Sequence, residues 1–254
     1  MPSRDLQKAN FWKRVAAWLF DGILLCVLAV GCGMVLAEIL QYDTHAAKLE
    51  AAYDRYETQY GIAFEITAEE YAAMSEEAQK NYDAAYEALL ADEEALLAYD
   101  KVTNQSLLIV TFSILVAVLV LEFAVPLRFG NGQTVGKKIF ALGLIRTDSV
   151  RVNSMQLFAR AVLGKFTLET MIPVYILLMI FFGNIGLVGT AVLLALGVVQ
   201  LVLLIATRNS SQIHDLIAGT VVVDISSQTI FRDTEELIAY TKRIHAERAA
   251  RQQY

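Results

Sequence analysis

The sequence predicts an all-α integral membrane protein: a four-transmembrane-helix bundle with a small exported helical insert and a basic cytoplasmic loop that contains a short β-hairpin. Hydrophobic residues make up 56% of the 254-residue chain, whereas apolar residues make up about 45–50% of soluble domains. They are concentrated in four runs, and about 20 apolar residues cross the hydrocarbon core of a bilayer. The predicted spans are therefore 15–40, 106–126, 166–182 and 185–206.

Charged residues are segregated along the chain, and their distribution predicts the orientation of the spans. Residues 41–105 contain fifteen acidic and four basic side chains, whereas residues 127–165 contain seven basic side chains and one acidic side chain. Lys and Arg are enriched on the cytoplasmic side of membrane proteins. We therefore expect a multi-pass protein of the cell membrane with both termini in the cytoplasm and the acidic insert outside it.

These boundaries divide the chain into six segments. They are a cytoplasmic N-terminus with the first span (1–40), the acidic insert (41–105), the second span (106–126), the basic loop with an interfacial helix (127–165), a hairpin of the third and fourth spans (166–206), and a cytoplasmic tail (207–254). The insert is predicted to form two or three helices, because it is rich in Ala and Glu and because Thr67 and Glu70 match a capping box.

The basic loop has local signals of its own. Two short strands are predicted around the turn Thr147-Asp148-Ser149, and Ser154 is predicted to cap the interfacial helix. We expect Arg160 and Lys165 of that helix to reach lipid phosphates. The loop as a whole is expected to bind anionic headgroups, because each basic residue near a membrane surface adds about 1 kcal/mol of attraction.

The chain contains no sequence signature of an enzyme. The motifs HExxH, G-x-S-x-G and G-x-x-x-x-G-K-[ST] do not occur, and the acidic insert lacks the spacing of a calcium-binding loop. We therefore predict a protein that is not an enzyme, with no cofactor, no metal site and no nucleic-acid partner. A lipoprotein cleavage site before Cys32 is disfavoured, because Asp21 interrupts the apolar run that precedes it.

Polar residues within and next to the spans are the candidate functional residues. A carboxylate inside a membrane-spanning helix costs about 2.5–3.5 kcal/mol of insertion free energy. Asp21 in the first span is therefore expected to have a structural or functional role that offsets this cost. Arg14 lies about 10.5 Å from Asp21 along a helix, and we expect it to pair with Asp215 near the inner surface, with Asp21 deeper. The other candidates are Glu122 in the second span, Gln200 in the fourth span and His214 at the membrane exit.

Three stretches of the sequence resemble the RDD family of bacterial multi-pass membrane proteins. RVAAWLFD contains Arg14 and Asp21, NGQTVGKKIFALGLIR resembles the Gly-Thr-Pro-Gly-Lys segment of the family, and HDLIAGTVVVD places the second family aspartate at Asp215. Val135 stands where the family usually has proline, and the insert 41–105 has no counterpart. The resemblance implies a role in transport, with cation/proton exchange as one proposed activity.

Two classes of function therefore remain. As a transporter, the protein would bind a monovalent cation and a proton in alternation at Asp21. Glu122 and Gln200 would extend the ion path, and His214 would relay protons. A homo-oligomer is then expected, because four spans form a thin wall for a pore. As a non-catalytic scaffold or assembly factor, it would use the acidic insert to bind a partner. Asp21 would then serve as a hydrogen-bonding residue between helices.

Overall fold

The computed structural model describes residues 9–181, 185–207 and 211–252, and this part of the chain contains four helices that are long and apolar enough to cross a membrane. In chain order they are the first, second, third and fourth span helices: Phe11–Ile39, Glu93–Phe129, Ser154–Phe181 and Gly186–Ala206. Between 6% and 22% of the residues in their apolar windows are buried. Most of their apolar side chains therefore face outward, where lipid is required to cover them. The mostly helical fold with four candidate spans confirms the predicted fold class.

The second and third span helices contain π-helical segments, Leu119–Ala124 and Ala159–Met171. A π-helix forms i→i+5 hydrogen bonds, and such segments are frequent at functional sites. In the third span helix, the hydroxyl of Thr170 donates a hydrogen bond to the carbonyl of Lys165, five residues earlier, at 2.8 Å. Side chains spaced by five residues come closer to a common face here than they do in an α-helix.

The third span helix begins earlier than the predicted third span. Asn153 caps it: the side-chain oxygen of Asn153 accepts a hydrogen bond from the N–H of Gln156 at 2.8 Å. Ser154, which we expected at the cap, is the first helical residue. The helix then continues to Phe181, so that the predicted interfacial helix and the predicted third span form one element.

A small antiparallel sheet joins two distant parts of the chain. Strand β1, Leu142–Arg146, pairs along its whole length with strand β2, Thr220–Asp224. The predicted strand pair around residues 147–149 is reduced to one isolated bridge, between Ile145 and Arg151. The segment after the fourth span is the better partner because both strands bury their apolar side chains in the sheet, namely Leu142, Leu144, Ile145, Val221, Val222 and Val223.

The insert is helical, as predicted, and it belongs to a compact unit of residues 30–113. Its helices are Tyr42–Tyr60, Ala68–Ala72 and Glu76–Ala91. The predicted capping box is confirmed, because the Thr67 hydroxyl accepts the N–H of Glu70 at 3.2 Å and the Glu70 carboxylate accepts the N–H of Thr67 at 2.7 Å. Its core consists of Ala52, Leu89 and Ala95, with the rings of Tyr53, Tyr56 and Phe64 packed against them.

Candidate functional site

Asp21 holds the loop that follows the second span against the first span helix. Its Oδ1 accepts a hydrogen bond from the main-chain N–H of Gly136 at 2.7 Å, and its Oδ2 accepts one from the hydroxyl of Thr134. Thr134 is the N-cap of the short helix Val135–Ile139. Gly136 allows this close approach, because a methyl group there would lie 2.4 Å from the carbonyl oxygen of Ala17. Both oxygens of Asp21 are therefore engaged in joining two segments.

A buried ionic cluster lies between the second and third span helices. The carboxylate of Glu122 accepts hydrogen bonds from Lys165 Nζ and from Arg160 Nη1, the latter at 3.4 Å. The Nε of Arg160 donates to Asp215 Oδ1 at 3.0 Å. The side chains of Glu122, Arg160 and Asp215 are only 1–3% exposed. Because an unpaired charge at such depth is very costly, the pairing is what allows these groups to remain ionised.

The cluster continues through His214 to Glu169. The His214 Nδ1 lies 2.7 Å from Glu169 Oε2, and the His214 main-chain N–H donates to Glu169 Oε1 at 3.1 Å. The other ring nitrogen, Nε2, lies 3.6 Å from Asp215 Oδ1. Burial, reinforced by the charge of Arg160, lowers the pKa of His214 below its usual value. Near pH 7 the ring is therefore neutral, with Nδ1 carrying the hydrogen that it donates to Glu169.

A cavity of about 250 Å³ lies beside this cluster. Its wall contains four cationic side chains and one carboxylate, that of Asp21; the cations are Arg14, Lys137, Arg160 and Lys165. Apolar side chains of the span helices complete the wall, among them Phe11, Trp18 and Leu204. We call this space the basic cavity.

Lys137 is the least compensated charge of the basic cavity. Its side chain is buried, and its Nζ donates to the hydroxyl of Thr134 at 3.3 Å. Burial is the main reason why the pKa of Lys137 falls to about 8, and the attraction of nearby Glu122 offsets only part of this effect. A fraction of the Lys137 side chains is therefore neutral at slightly alkaline pH.

A second cavity, of about 230 Å³, lies between the third and fourth span helices. Among the described residues that line it, Glu169 alone carries a charge, and Gln200 and Gly197 of the fourth span helix face it. Gln200 hydrogen-bonds to Glu169, and its side-chain oxygen lies 3.5 Å from the N–H of Ile213. We call this space the Glu169 cavity.

The structure brings the six candidate residues to one end of the span helices, but with different contacts from those expected. Asp215 pairs directly with Arg160, and the expected Arg14–Asp215 pair is not among the ion pairs of the described residues. Arg14 lies on the wall of the basic cavity instead. Glu122, His214, Asp215 and Gln200 belong to one hydrogen-bonded chain, whereas Asp21 contacts the segment around Gly136.

Four charged residues of the site were not among the candidates: Lys137, Arg160, Lys165 and Glu169. We expected Arg160 and Lys165 to reach lipid phosphates, but the structure gives both side chains a partner inside the protein, the carboxylate of Glu122. A period of 3.6 residues places Arg160 and Lys165 on different sides of a helix, whereas the i→i+5 geometry of the π-helical segment brings them together. The spacing of five residues between Arg160 and Lys165 indicates a shared face only if the helix is a π-helix.

The site does not have the composition of a metal centre. Within residues 9–181, 185–207 and 211–252, the structure contains no group of three or more His, Cys, Asp or Glu side chains placed to hold a metal ion. What the site offers is a row of ionisable groups that alternate in charge, flanked by two cavities.

Comparison with known families supports the resemblance noted in the sequence. Residues 8–219 match the RDD family, and this range contains the four span helices and all the charged residues of the site. No curated protein matches the chain, and no solved structure matches it either. Because the family match covers well over half of the sequence, this multi-pass membrane protein belongs to the RDD family.

Proposed function

We propose that the chain is a transport protein of the cell membrane that exchanges a monovalent cation for protons. The observation that supports this proposal is the buried row of ionisable groups that runs from Glu122 through Arg160, Asp215 and His214 to Glu169. Ionisable residues within membrane-spanning segments are rare and commonly line ion or proton pathways. Here they come from two of the span helices and from the short helix Ile213–Ala218.

His214 is the group best suited to take up and release the proton. It lies between two carboxylates, with Nδ1 at 2.7 Å from Glu169 and Nε2 at 3.6 Å from Asp215. A proton that binds to Nε2 gives the ring a positive charge next to both of them. Histidine is the side chain whose ordinary pKa lies nearest to physiological pH, and because burial lowers the pKa of His214, the ring takes up its proton on the more acidic side of that value.

The Glu169 cavity provides the space in which a cation could replace the proton. While the His214 ring is protonated, its charge compensates that of Glu169. When the proton leaves, the carboxylate is less well compensated and attracts a cation into the cavity. One proton lost from His214 and one monovalent cation gained leave the net charge of the site unchanged, which is the basis of an exchange.

In this proposal Asp21 has a positioning role. Both of its carboxylate oxygens accept hydrogen bonds from the segment around Gly136, so a cation would have to displace that segment to reach them. The sequence alone leaves Asp21 open as a carrier or as a hydrogen-bonding residue between helices, whereas the contacts favour His214 and Glu169 as the groups that exchange charge.

A scaffold is the second candidate function, and the surface of the insert favours it. Tyr86 and Leu90 are 50% and 47% exposed, on a helix that also carries several acidic residues. Contiguous exposed apolar patches with a polar rim mark surfaces that bind a partner, and Tyr86 and Leu90, four residues apart on one helix, could contribute to such a patch. A scaffold would not require the titration of His214.

The test is cation-driven proton flux in proteoliposomes that contain a pH-sensitive dye. Sodium and then potassium are added outside, and the dye signal is compared for the parent protein, Glu169→Gln and His214→Gln. We expect flux in the parent protein and at least a tenfold loss in both variants, because each removes a group that holds the exchanged charge. His245→Gln is the matched control, since His245 is exposed in the C-terminal helix Thr234–Gln252.

Two results would contradict the proposal. A folded parent protein with flux equal to that of empty liposomes would exclude cation/proton exchange and favour the scaffold. Flux that persists unchanged in Glu169→Gln would exclude the Glu169 cavity as the place of exchange. Asp21→Asn distinguishes the positioning role of Asp21 from the exchange role of Glu169. This variant should lower the yield of folded protein while leaving the flux per folded molecule within about twofold of the parent.

A further inference from the structure

The basic cavity has an excess of positive charge that the protein does not neutralise. Four of its wall residues are cationic, and the single carboxylate on the wall, Asp21, already accepts hydrogen bonds with both oxygens. Arg160 and Lys165 are paired with carboxylates behind the wall. The excess is therefore carried by the two remaining cations, Arg14 and Lys137.

Lys137 is a buried ammonium group with too few acceptors. An ammonium group has three donors, and within the described residues its hydrogen-bond acceptor is the neutral Thr134 hydroxyl at 3.3 Å. None of the carboxylates in that part of the chain lies within 4 Å of Nζ. A buried charge is costly unless it is paired, and the lowered pKa of Lys137 agrees with this deficit. The side chain faces the cavity, where an anion would supply the missing acceptors.

Arg14 approaches the same cavity from the first span helix. It is partly buried, and it forms no ion pair with another described residue. A guanidinium group presents several donors in one plane, which match the oxygens of a phosphate or a carboxylate in a bidentate arrangement. Asp215 attracts Arg14 and Glu122 attracts Lys137, but among the described residues neither cation forms an ion pair with a carboxylate. An arginine and a lysine with unused donors on the wall of one cavity form the donor set of an anion site.

We propose that the basic cavity binds a phosphate group, with Arg14 and Lys137 as its principal ligands. Two sources share this chemistry: the headgroup of an anionic phospholipid and free inorganic phosphate. The apolar part of the wall favours the lipid, because two of its rings are also exposed on the outer surface: Phe11 is 51% exposed and Trp18 is 62% exposed. A headgroup bound at the cations would place its acyl chains along these rings.

The location in the fold also suits a phospholipid. Trp and Tyr side chains are enriched at the membrane–water interface, and basic pockets between transmembrane helices bind anionic lipid headgroups. The cavity volume of about 250 Å³ is below the range of about 300–1,000 Å³ of pockets that enclose whole drug-sized ligands. It suits the headgroup alone, with the rest of the lipid outside.

This proposal is independent of cation/proton exchange, because it concerns equilibrium binding and requires no transport. The test measures the thermal unfolding of the purified full-length protein in detergent, without added lipid and with phosphatidylglycerol, phosphatidylcholine or inorganic phosphate. A ligand that binds the folded state raises the unfolding temperature, and the increase grows with the logarithm of the ratio of ligand concentration to Kd. Lys137→Gln and Arg14→Gln are the test variants. Lys138→Gln is the matched control, since Lys138 is the adjacent residue of the same short helix but is exposed, with its ammonium group over the ring of Phe129.

We expect phosphatidylglycerol to stabilise the parent protein more than phosphatidylcholine does. Its affinity should fall by about tenfold or more in Lys137→Gln and in Arg14→Gln, because each removes charge-assisted hydrogen bonds, and should stay within about twofold in Lys138→Gln. Without ligand, Lys137→Gln should unfold at the same temperature as the parent or a higher one, because it removes an uncompensated buried charge. The unfolding temperature without ligand thus shows whether the Lys137→Gln variant is folded.

The remaining outcomes decide between the sources or overturn the proposal. Stabilisation by inorganic phosphate that is lost in both test variants, with no additional effect of phosphatidylglycerol, would support a soluble phosphate as the ligand. Equal stabilisation by both lipids would overturn the proposal, and so would an affinity for phosphatidylglycerol and phosphate that neither test variant changes.

Discussion

Replacing Gly136 by Ala tests how closely the first span helix approaches the short helix Val135–Ile139. A methyl group at this position would lie 2.4 Å from the carbonyl oxygen of Ala17 and 3.0 Å from the carboxylate of Asp21. The Ala17 oxygen is part of a helix backbone and has little freedom to move. The short helix must therefore shift outward, which lengthens the 2.7 Å hydrogen bond from the Gly136 N–H to Asp21.

The cost follows from these two contacts. A hydrogen bond to a charged group contributes about 1.5–3 kcal/mol, and overpacking adds about 1–3 kcal/mol. Alanine is more favourable than glycine inside a helix by up to about 1 kcal/mol. The Gly136→Ala variant should therefore lose about 1.5–5 kcal/mol of unfolding free energy.

The measurement is the helical signal in circular dichroism during titration of the detergent-solubilised protein with sodium dodecyl sulfate. Gly22→Ala is the matched control, because it lies next to Asp21 on the first span helix and a methyl group there would meet nothing within 4 Å. The control should be as stable as the parent or slightly more stable. Equal stability of Gly136→Ala and Gly22→Ala would refute the close approach and, with it, the positioning role of Asp21.

Four variants test the charged cluster and the packing around it. Burial holds the pKa of Lys137 at about 8, below its usual 10.5, so between these pH values the unfolded state binds more protons than the folded state. The unfolding free energy should therefore rise by up to about 3 kcal/mol from pH 8 to 10.5. The Lys137→Gln variant should not show this rise. Arg160→Met should destabilise the protein by about 3–5 kcal/mol, because it leaves two carboxylates without this partner, and Glu122→Gln should cost less. Gly164→Ala should cost about 1–3 kcal/mol, because a methyl group there would lie 2.4 Å from the Cβ of His214.

Each of these variants has its own control and a result that would contradict it. The Lys138→Gln variant should retain the rise in stability with pH. If that variant lost the rise, Lys137 would not be its cause. An Arg160→Met protein that is more stable than Glu122→Gln would show that Arg160 is not the centre of the cluster. Gly197→Ala is the control for Gly164→Ala and should leave the unfolding free energy unchanged or slightly raised, because a methyl group there would meet nothing within 4 Å. If Gly164→Ala were as stable as Gly197→Ala, the tight contact between Gly164 and His214 would be refuted.

The large-scale architecture could be predicted from the sequence because the membrane imposes a simple rule. Runs of about 20 apolar residues have few alternatives to a spanning helix. Over its described residues, each of the four predicted runs agrees to within one residue with a helix that is long enough to cross, or lies inside such a helix. Local signals were equally informative where they involved neighbouring residues, as in the capping box of Thr67 and Glu70. The second strand was harder to assign, because β1 pairs with residues about 80 positions away and no local pattern indicates that partner.

The candidate site could be predicted only in part because its contacts depend on helix geometry. Asp21, Glu122 and Asp215 were identifiable as charges within or beside apolar runs. Arg160 and Lys165 are both expected at lipid phosphates from the sequence, whereas in the structure both pair with Glu122. The π-helical segment changes which side chains share a face, and the sequence pattern for a π-helix is too weak to reveal this in advance.

The sheet and the Arg160–Asp215 pair impose an order on the biogenesis of the protein. The ribosome releases β1 and Arg160 long before it releases Asp215 and β2, since chains are completed from the N-terminus at about 5–20 residues per second. During that interval β1 has an open edge and Arg160 lacks one of its two carboxylates, so the nascent chain depends on Glu122 alone to compensate this charge. The second carboxylate arrives with Asp215 and the strand partner arrives a few residues later with β2. A chain whose translation stops between residues 206 and 215 therefore contains all four span helices, an unpaired strand β1 and an Arg160 side chain with one carboxylate instead of two.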